Sequence, residues 1–378
     1  MKPIQDYINF RLQQRKDANN LRSVGRCNES LIDFSSNDYL GIAQEVAFQK
    51  KVFEKIQQLK ATSGSTGSRL LTGNSLFAEQ LENFIAQVHQ TESALLFSSG
   101  YDANYGLLTT LPYQDDTIIY DALCHASIYD GIRASKATSA VFNHNNIADL
   151  EAKLSTAKGL KYVVVESLYS MNGDLADLEA IAACCEKYEA GLVVDEAHAT
   201  GIVGSYGEGL VQHLGLEKKC LARIHTFGKA LGALGAAVVG SEDLKKFLIN
   251  YCRPFIFSTA MPAHSLVAIQ ESYAHFPSLS KQRITLEKLA RLFQNSLPKN
   301  KLYELLSSNS PIQSLIVKGN TGVKKFSETM QQKGFDVRPI LHPTVAKGSE
   351  RIRICLHSYN TETEVLQLLQ AITNYFST

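Results

Sequence analysis

Four short apolar runs, each closing on polar residues, constrain this chain more than any other feature. They are Ala94-Leu95-Leu96-Phe97, Thr117-Ile118-Ile119-Tyr120, Lys161-Tyr162-Val163-Val164-Val165-Glu166 and Gly191-Leu192-Val193-Val194-Asp195. None alternates as a strand with one wet face would. Segments of helical spacing lie between them, such as residues 178–188. Strands apolar on both faces belong to a parallel-rich sheet covered on both sides by helices. Just past the runs stand Ser98-Ser99-Gly100-Tyr101, Asp121 with Cys124-His125, Ser167 to Met171, and Glu196 to His198. Open α/β sheets bind ligands at the carboxyl ends of their strands, so chemistry is expected there.

The rest of the chain fills in around this sheet. Residues 46–59 and 76–88 show helical spacing, and a Gly/Ser/Thr-rich loop, 62–74, separates them. Long polar loops inside compact domains are usually functional or disordered, and Leu70 and Leu71 argue against disorder. A long helical stretch runs from about 262 to 292. Helix, strand, helix, strand, loop, strand and helix follow to about 375. The expected division is an amino-terminal segment, 1–45, packing with the smaller domain; a large α/β domain, 46–270; and a small carboxyl-terminal α+β domain, 271–378.

Composition removes several function classes. Lys plus Arg number 38 and Asp plus Glu 37, which gives no electrostatic ground for binding nucleic acid or an acidic membrane. No apolar stretch is long enough to span a bilayer, and the first residues lack the apolar core of a signal peptide. The seven cysteines show no paired metal spacing and read as reduced thiols. A cytoplasmic protein without a metal site is expected.

The chemical signal centres on His225-Thr226-Phe227-Gly228-Lys229-Ala230-Leu231-Gly232. A lysine among small residues is either a phosphate clamp or an amine held for covalent chemistry. Val194-Asp195-Glu196-Ala197-His198 alone matches the acidic box of an ATP-driven helicase. That reading requires an upstream G-x-x-x-x-G-K-[ST] loop, and the chain has none. The alternative places Asp195 against the nitrogen of a heterocycle and Lys229 as a Schiff-base amine, the pairing that pyridoxal phosphate needs. On its own Asp195 would read as a helix cap. Lys229, following it after one further apolar run, shifts the balance toward the cofactor.

Other positions carry two readings each. Ser98-Ser99-Gly100-Tyr101 is an ordinary strand-to-helix turn or a phosphate seat at a helix start. His125 is a structural histidine or a flat ring stacked on a cofactor. Arg351 and Arg353 share one face of a strand, either as a solvated edge or with one guanidinium gripping a carboxylate. The Thr226 hydroxyl could reach the same phosphate, and Gly228 and Gly232 would let backbone approach a bulky group.

Several stretches in order resemble the α-oxoamine synthases, pyridoxal-phosphate enzymes of the aspartate-aminotransferase fold (fold type I). They are Phe34-Ser35-Ser36-Asn37-Asp38-Tyr39-Leu40-Gly41, 64–74, 97–104, His125-Ala126-Ser127, 170–174, 195–201, Thr226-Phe227-Gly228-Lys229 and 257–262. The likeness runs from about Asp33 to the end. Asn172 stands where the family more often has Asp.

The resemblance implies a decarboxylative condensation of an amino acid with an acyl thioester on coenzyme A or an acyl carrier protein. It implies that Lys229 holds pyridoxal phosphate and moves the α-proton, that Asp195 faces the ring nitrogen, and that His125 stacks on the ring. His198 and Ser170 would serve the ring hydroxyl and its surroundings. Ser99, Gly100, Tyr101 and Thr226 would cradle the phosphate. Substrate contacts would come from Arg22, Asn37, Thr344 and Arg353. A homodimer with a shared site is implied, with loop 64–74 and Ser258 and Thr259 reaching the partner's cofactor. A non-catalytic paralogue would be expected to lose Lys229 or Asp195, and this chain keeps both.

Overall fold

The computed structural model describes residues 1–25, 28–59, 62–299 and 301–377. Two units emerge. The larger comprises 37–170 and 175–283, and the smaller 1–36, 171–174 and 284–378.

A seven-stranded sheet organises the larger unit: β1 (Ser93–Phe97), β2 (Thr117–Asp121), β3 (Thr138–Phe142), β4 (Lys161–Glu166), β5 (Ala190–Asp195), β6 (Cys220–Thr226) and β7 (Ala236–Gly240). Their order across the sheet is β1-β7-β6-β5-β4-β2-β3. The four runs read from the sequence are β1, β2, β4 and β5. Their apolar side chains, among them Ile118, Val163, Val164 and Val194, are fully buried. Six strands run parallel, and β7 alone is antiparallel to both its neighbours. The reason is length. Only residues 227–235 join β6 to β7, too few for a crossover helix. Strand β3 was not anticipated. It is the sheet edge, with Thr138, Ser139 and Val141 exposed, so no buried apolar run marks it.

The helices between strands start on side-chain caps. Ser75, Ser99, Asn146, Asp177 and Ser241 each accept a hydrogen bond from the backbone N–H three residues on. The Gly/Ser/Thr-rich loop is anchored through Arg69. Its Nη1 lies 2.8 Å from Glu82 Oε1, and Lys245 Nζ lies 3.1 Å from Glu82 Oε2. The expected long helical stretch after 262 is two helices, Ala263–His275 and Ser280–Ser296, interrupted by a 3-10 turn at Phe276–Ser278. Pro277 has no N–H to continue the ladder.

The smaller unit holds an antiparallel sheet of β8 (Glu304–Leu305), β9 (Ile312–Ile316), β10 (Arg338–Ile340) and β11 (Arg351–Cys355), ordered β10-β11-β9-β8. Helices Asn320–Gln332 and Glu362–Ser377 pack on a core that includes Phe34, Phe326 and Ile352. The strand expected directly after the helix Asn320–Gln332 is split in two. Phe335–Asp336 pairs in parallel with Ile32–Asp33, and β10 pairs with β11. The amino-terminal arm belongs to this unit, where Asn20 Nδ2 donates to the His342 carbonyl at 3.0 Å. Among the described residues no helix is long and apolar enough to cross a membrane, and no cluster of side chains could hold a metal ion.

In the larger unit's core, His89 and His225 stack with ring centroids 3.5 Å apart, fully buried. His89 Nε2 meets Tyr273 Oη at 2.9 Å, and His225 Nδ1 meets Thr200 Oγ1 at 2.8 Å. Burial pushes both imidazoles well below the ordinary histidine range, and the Arg223 guanidinium adds to it. Both rings are therefore neutral in the fold and protonatable in the unfolded chain. The contribution is complete above about pH 6.5 and is lost as pH falls below that value. Urea midpoints are expected to drop between about pH 7 and pH 5, with a shallower fall in His225→Asn, which removes one proton-binding group. An equal slope in the variant would count against this account.

Candidate active site

Strands β4 and β5 end side by side, with Glu166 in register with Asp195. Beyond these ends lies a cavity of about 240 Å³. Asp195 is buried there, and each oxygen has a donor. The Ala197 N–H reaches Oδ1 at 2.9 Å and Asn104 Nδ2 reaches Oδ2 at 2.7 Å. Asn104 sits one turn into the helix Gly100–Thr110.

A polar chain continues from Asn104 to His125. Asn104 Nδ2 donates to Ser127 Oγ at 3.1 Å, and Ser127 Oγ lies 2.8 Å from His125 Nδ1. The Ser127 N–H also donates to Nδ1, at 3.2 Å, because His125 caps the helix Ala126–Ala134 through its ring. Nδ1 is thus an acceptor, and the ring proton belongs on Nε2. Burial holds the His125 pKa below its ordinary value; Asp195 opposes this and the Lys229 ammonium adds to it. The ring is neutral near pH 7.

Lys229 projects from the tight connection between β6 and β7, half-buried, with Nζ 3.3 Å from Thr226 Oγ1. That connection closes on Gly235 at φ +113°, where a Cβ would stand 2.7 Å from Met261 Cε and 3.0 Å from the Phe97 carbonyl. Gly228 borders the cavity. Gly232 does not: at φ +61° its hydrogen faces the Ala43 backbone, so its small size serves that contact and not a cofactor.

The turn after β1 is shaped for an anion. Ser99 Oγ is spent within the turn, accepting from the Asp102 N–H at 3.0 Å and donating to Asp102 Oδ2 at 2.8 Å. The first N–H groups of the helix have no partner within it and point along its positive end. Gly100 lies against Thr226, where a Cβ would come within 2.4 Å of Cγ2. The two segments expected to share a phosphate therefore meet, and Tyr101 borders the same cavity with its hydroxyl on Asp130 at 2.5 Å. On the other side, Tyr39 Oη bridges His198 Nδ1 at 2.9 Å and Asn37 Oδ1 at 3.1 Å. An anion seat, a two-donor carboxylate, a neutral imidazole and an amine around one cavity fit a phosphorylated heterocyclic aldehyde such as pyridoxal phosphate.

Not every expected residue borders this cavity. Ser170 is buried beside Glu166, to whose Oε2 its N–H donates at 3.2 Å. Ser258 and Thr259 line a separate groove with Arg69 and Phe255. Arg22, Thr344 and Arg353 belong to the smaller unit. Arg22 Nη2 lies 3.0 Å from Thr344 Oγ1, and Arg353 stands on β11 opposite Arg338 and Ser314. Arg351 is committed to the Met171 carbonyl and, at 2.6 Å, to Asn172 Oδ1, so Asn172 anchors a turn. Asn104, Ser127, Tyr39 and Glu166 were not assigned roles from the sequence. Asn104 carried a usable signal, since it lies one turn beyond Gly100 on the same helix face.

Glu196, next to Asp195, is a brace. Buried completely, it accepts from the Leu210 N–H at 3.0 Å, the Val211 N–H at 2.7 Å and Ser167 Oγ at 2.8 Å. Glu196→Ala strands three buried donors and is expected to lower unfolding free energy by about 3 kcal/mol or more in urea titrations. A loss under about 1 kcal/mol would refute the brace.

The family described as Aminotransferase class I and II matches residues 29–372. The chain is 37% identical to the 8-amino-7-oxononanoate synthase of Emericella nidulans, over 99% of this chain and 96% of that one. A serine palmitoyltransferase from S. paucimobilis, solved with a bound PLP–myriocin adduct, superposes with TM-score 0.88 at 25% identity, covering 98% of this chain and 96% of that chain. An 8-amino-7-oxononanoate synthase from Francisella tularensis superposes with TM-score 0.79 at 27% identity, covering 93% of this chain and 99% of that chain. With the matched region spanning both units and including Lys229, Asp195 and His125, the chain belongs to the class I and II aminotransferase family.

Proposed function

We propose that this chain is a pyridoxal-phosphate-dependent acyltransferase of biotin synthesis. It condenses L-alanine with a pimeloyl thioester to give 8-amino-7-oxononanoate, carbon dioxide and free thiol. The observation that carries the reading is the convergence of Lys229, Asp195 and His125 on one cavity. It stands in a chain 37% identical over nearly its full length to a synthase of that name. The structural likeness to serine palmitoyltransferase supports the same chemistry with a different amino acid and acyl chain. The 37% identity to that synthase, against 25% to the serine palmitoyltransferase, favours the biotin-pathway substrates over those of the latter.

Bound pyridoxal phosphate supplies the electron sink at the α-carbon. Lys229 would hold it through Nζ and would move the proton at the α-carbon of the bound amino acid. Asp195, its two oxygens held by Ala197 N–H and Asn104 Nδ2, would face the ring nitrogen. His125 offers a flat neutral face, with Nε2–H free to donate. His198, oriented by Tyr39, would serve the ring hydroxyl, and Ser170 would help orient the cofactor from behind Glu166. The helix start at Ser99, Gly100 and Tyr101, with Thr226, holds the phosphate. Arg353 holds the amino-acid carboxylate, with Asn37, Thr344 and Arg22 completing the substrate contacts. The enzyme works as a cytoplasmic homodimer, with Ser258 and Thr259 reaching the partner's cofactor.

The loaded protein is expected to be yellow, with a band near ~420 nm, and borohydride should fix the cofactor on Lys229. Lys229→Ala should lose that link and slow turnover by about 10³-fold or more. Alanine with a pimeloyl thioester should outperform glycine with acetyl-CoA. A wild-type protein that stays colourless after reconstitution overturns the proposal.

A further inference from the structure

Glu166 is the one carboxyl at the cavity to which the mechanism above gives no task. It ends β4, is buried, and borders the cavity. Its strand partner in register is Asp195, the carboxylate assigned to the ring nitrogen. Two buried carboxylates on adjacent strand ends do not both ionise readily. The donors decide which one keeps the charge. Asp195 has one on each oxygen, from the Ala197 N–H and Asn104 Nδ2. Glu166 receives the Ser170 N–H on Oε2, while Oε1 has no hydrogen-bond partner. An ionised carboxylate offers about four acceptor sites, and burying one with an oxygen left unpartnered is costly. A protonated one reverses the need, because its hydroxyl then seeks an acceptor.

We propose that Glu166 is held as a neutral carboxylic acid beside ionised Asp195, and that its Oε1–H donates a hydrogen bond to an oxygen of the bound cofactor. The inference rests on the pyridoxal-phosphate reading given above and adds a cofactor contact to it. The electrostatic surroundings agree. Burial pushes the Glu166 carboxyl well above the usual range and Asp195 pushes it further, while the Lys229 ammonium and the N–H groups of Ser170 and His125 act against them without reversing the direction. The cavity then presents one negative charge, on Asp195, and a neutral donor one strand away. This division keeps the aspartate as sole counter-ion of a protonated ring nitrogen.

The test is difference infrared spectroscopy of the full-length protein with and without pyridoxal phosphate near pH 7, joined to cofactor titrations. A protonated-carboxyl stretch that shifts on cofactor binding is expected in wild type and should vanish in Glu166→Gln. Glu196 does not border the cavity and should drop out of the difference. Glu166→Leu removes the donor and should weaken cofactor binding by about tenfold. Glu166→Gln, whose amide can donate, should recover most of that loss. If neither variant folds, the wild-type spectrum with ¹³C-labelled glutamate still reads the protonation state. A yellow wild-type protein without a protonated-carboxyl signal overturns this inference alone, as does a Gln variant as weak as the Leu variant. A wild-type protein that never binds the cofactor overturns it together with the functional reading.

Discussion

A carboxylate buried inside a protein needs donors on its oxygens, and Asp195 meets that need from two directions. One donor is local, the Ala197 N–H two residues on. The other is Asn104, brought from a helix that begins after β1. The helix that presents Asn104 also presents, at its first turn, the N–H groups suited to an anion. One rigid element thus sets the anion seat and the shell around the acid.

The lysine depends on a different constraint. Its connection spans residues 227–235, and that shortness makes β7 run against its neighbours. Gly235 closes the turn where any side chain would strike Met261 and the Phe97 carbonyl. Lys229 therefore projects from a loop pinned at both ends, with Thr226 Oγ1 within 3.3 Å of Nζ. An amine placed this way needs little reorganisation before it reacts, the preorganisation that catalytic groups require.

Much of this could be read from residues alone, for identifiable reasons. Strands β1, β2, β4 and β5 announced themselves because both faces are buried, which forces continuous apolar runs. Edge strand β3 did not, since its exposed residues dilute the pattern. Asp195, Lys229 and His125 stood out as chemically costly residues at strand ends. Their supporting side chains did not, because Asn104 and Ser127 look ordinary in sequence and matter only through distances of about 3 Å that the fold creates. Gly232 shows the converse. Its smallness looked like room for a cofactor, yet it answers to the Ala43 backbone. Glu166 was visible as the charged end of an apolar run. Its lack of a partner on Oε1 was not.

The strand order has a consequence for how the molecule comes into being. β1 has a single hydrogen-bonded neighbour, β7, although residues 98–235 separate them along the chain. During synthesis the anion seat and Asn104 emerge early, on an element whose strand has nothing to pair with. The sheet's centre, β4 to β6, is then built beside a vacancy that only residues 236–240 can fill. Pairings across such separations carry a large loop-closure cost and tend to form late. Lys229 emerges just ahead of β7, so the segment that bears the reactive amine is also the one that delivers the strand joining the chain's beginning to its centre.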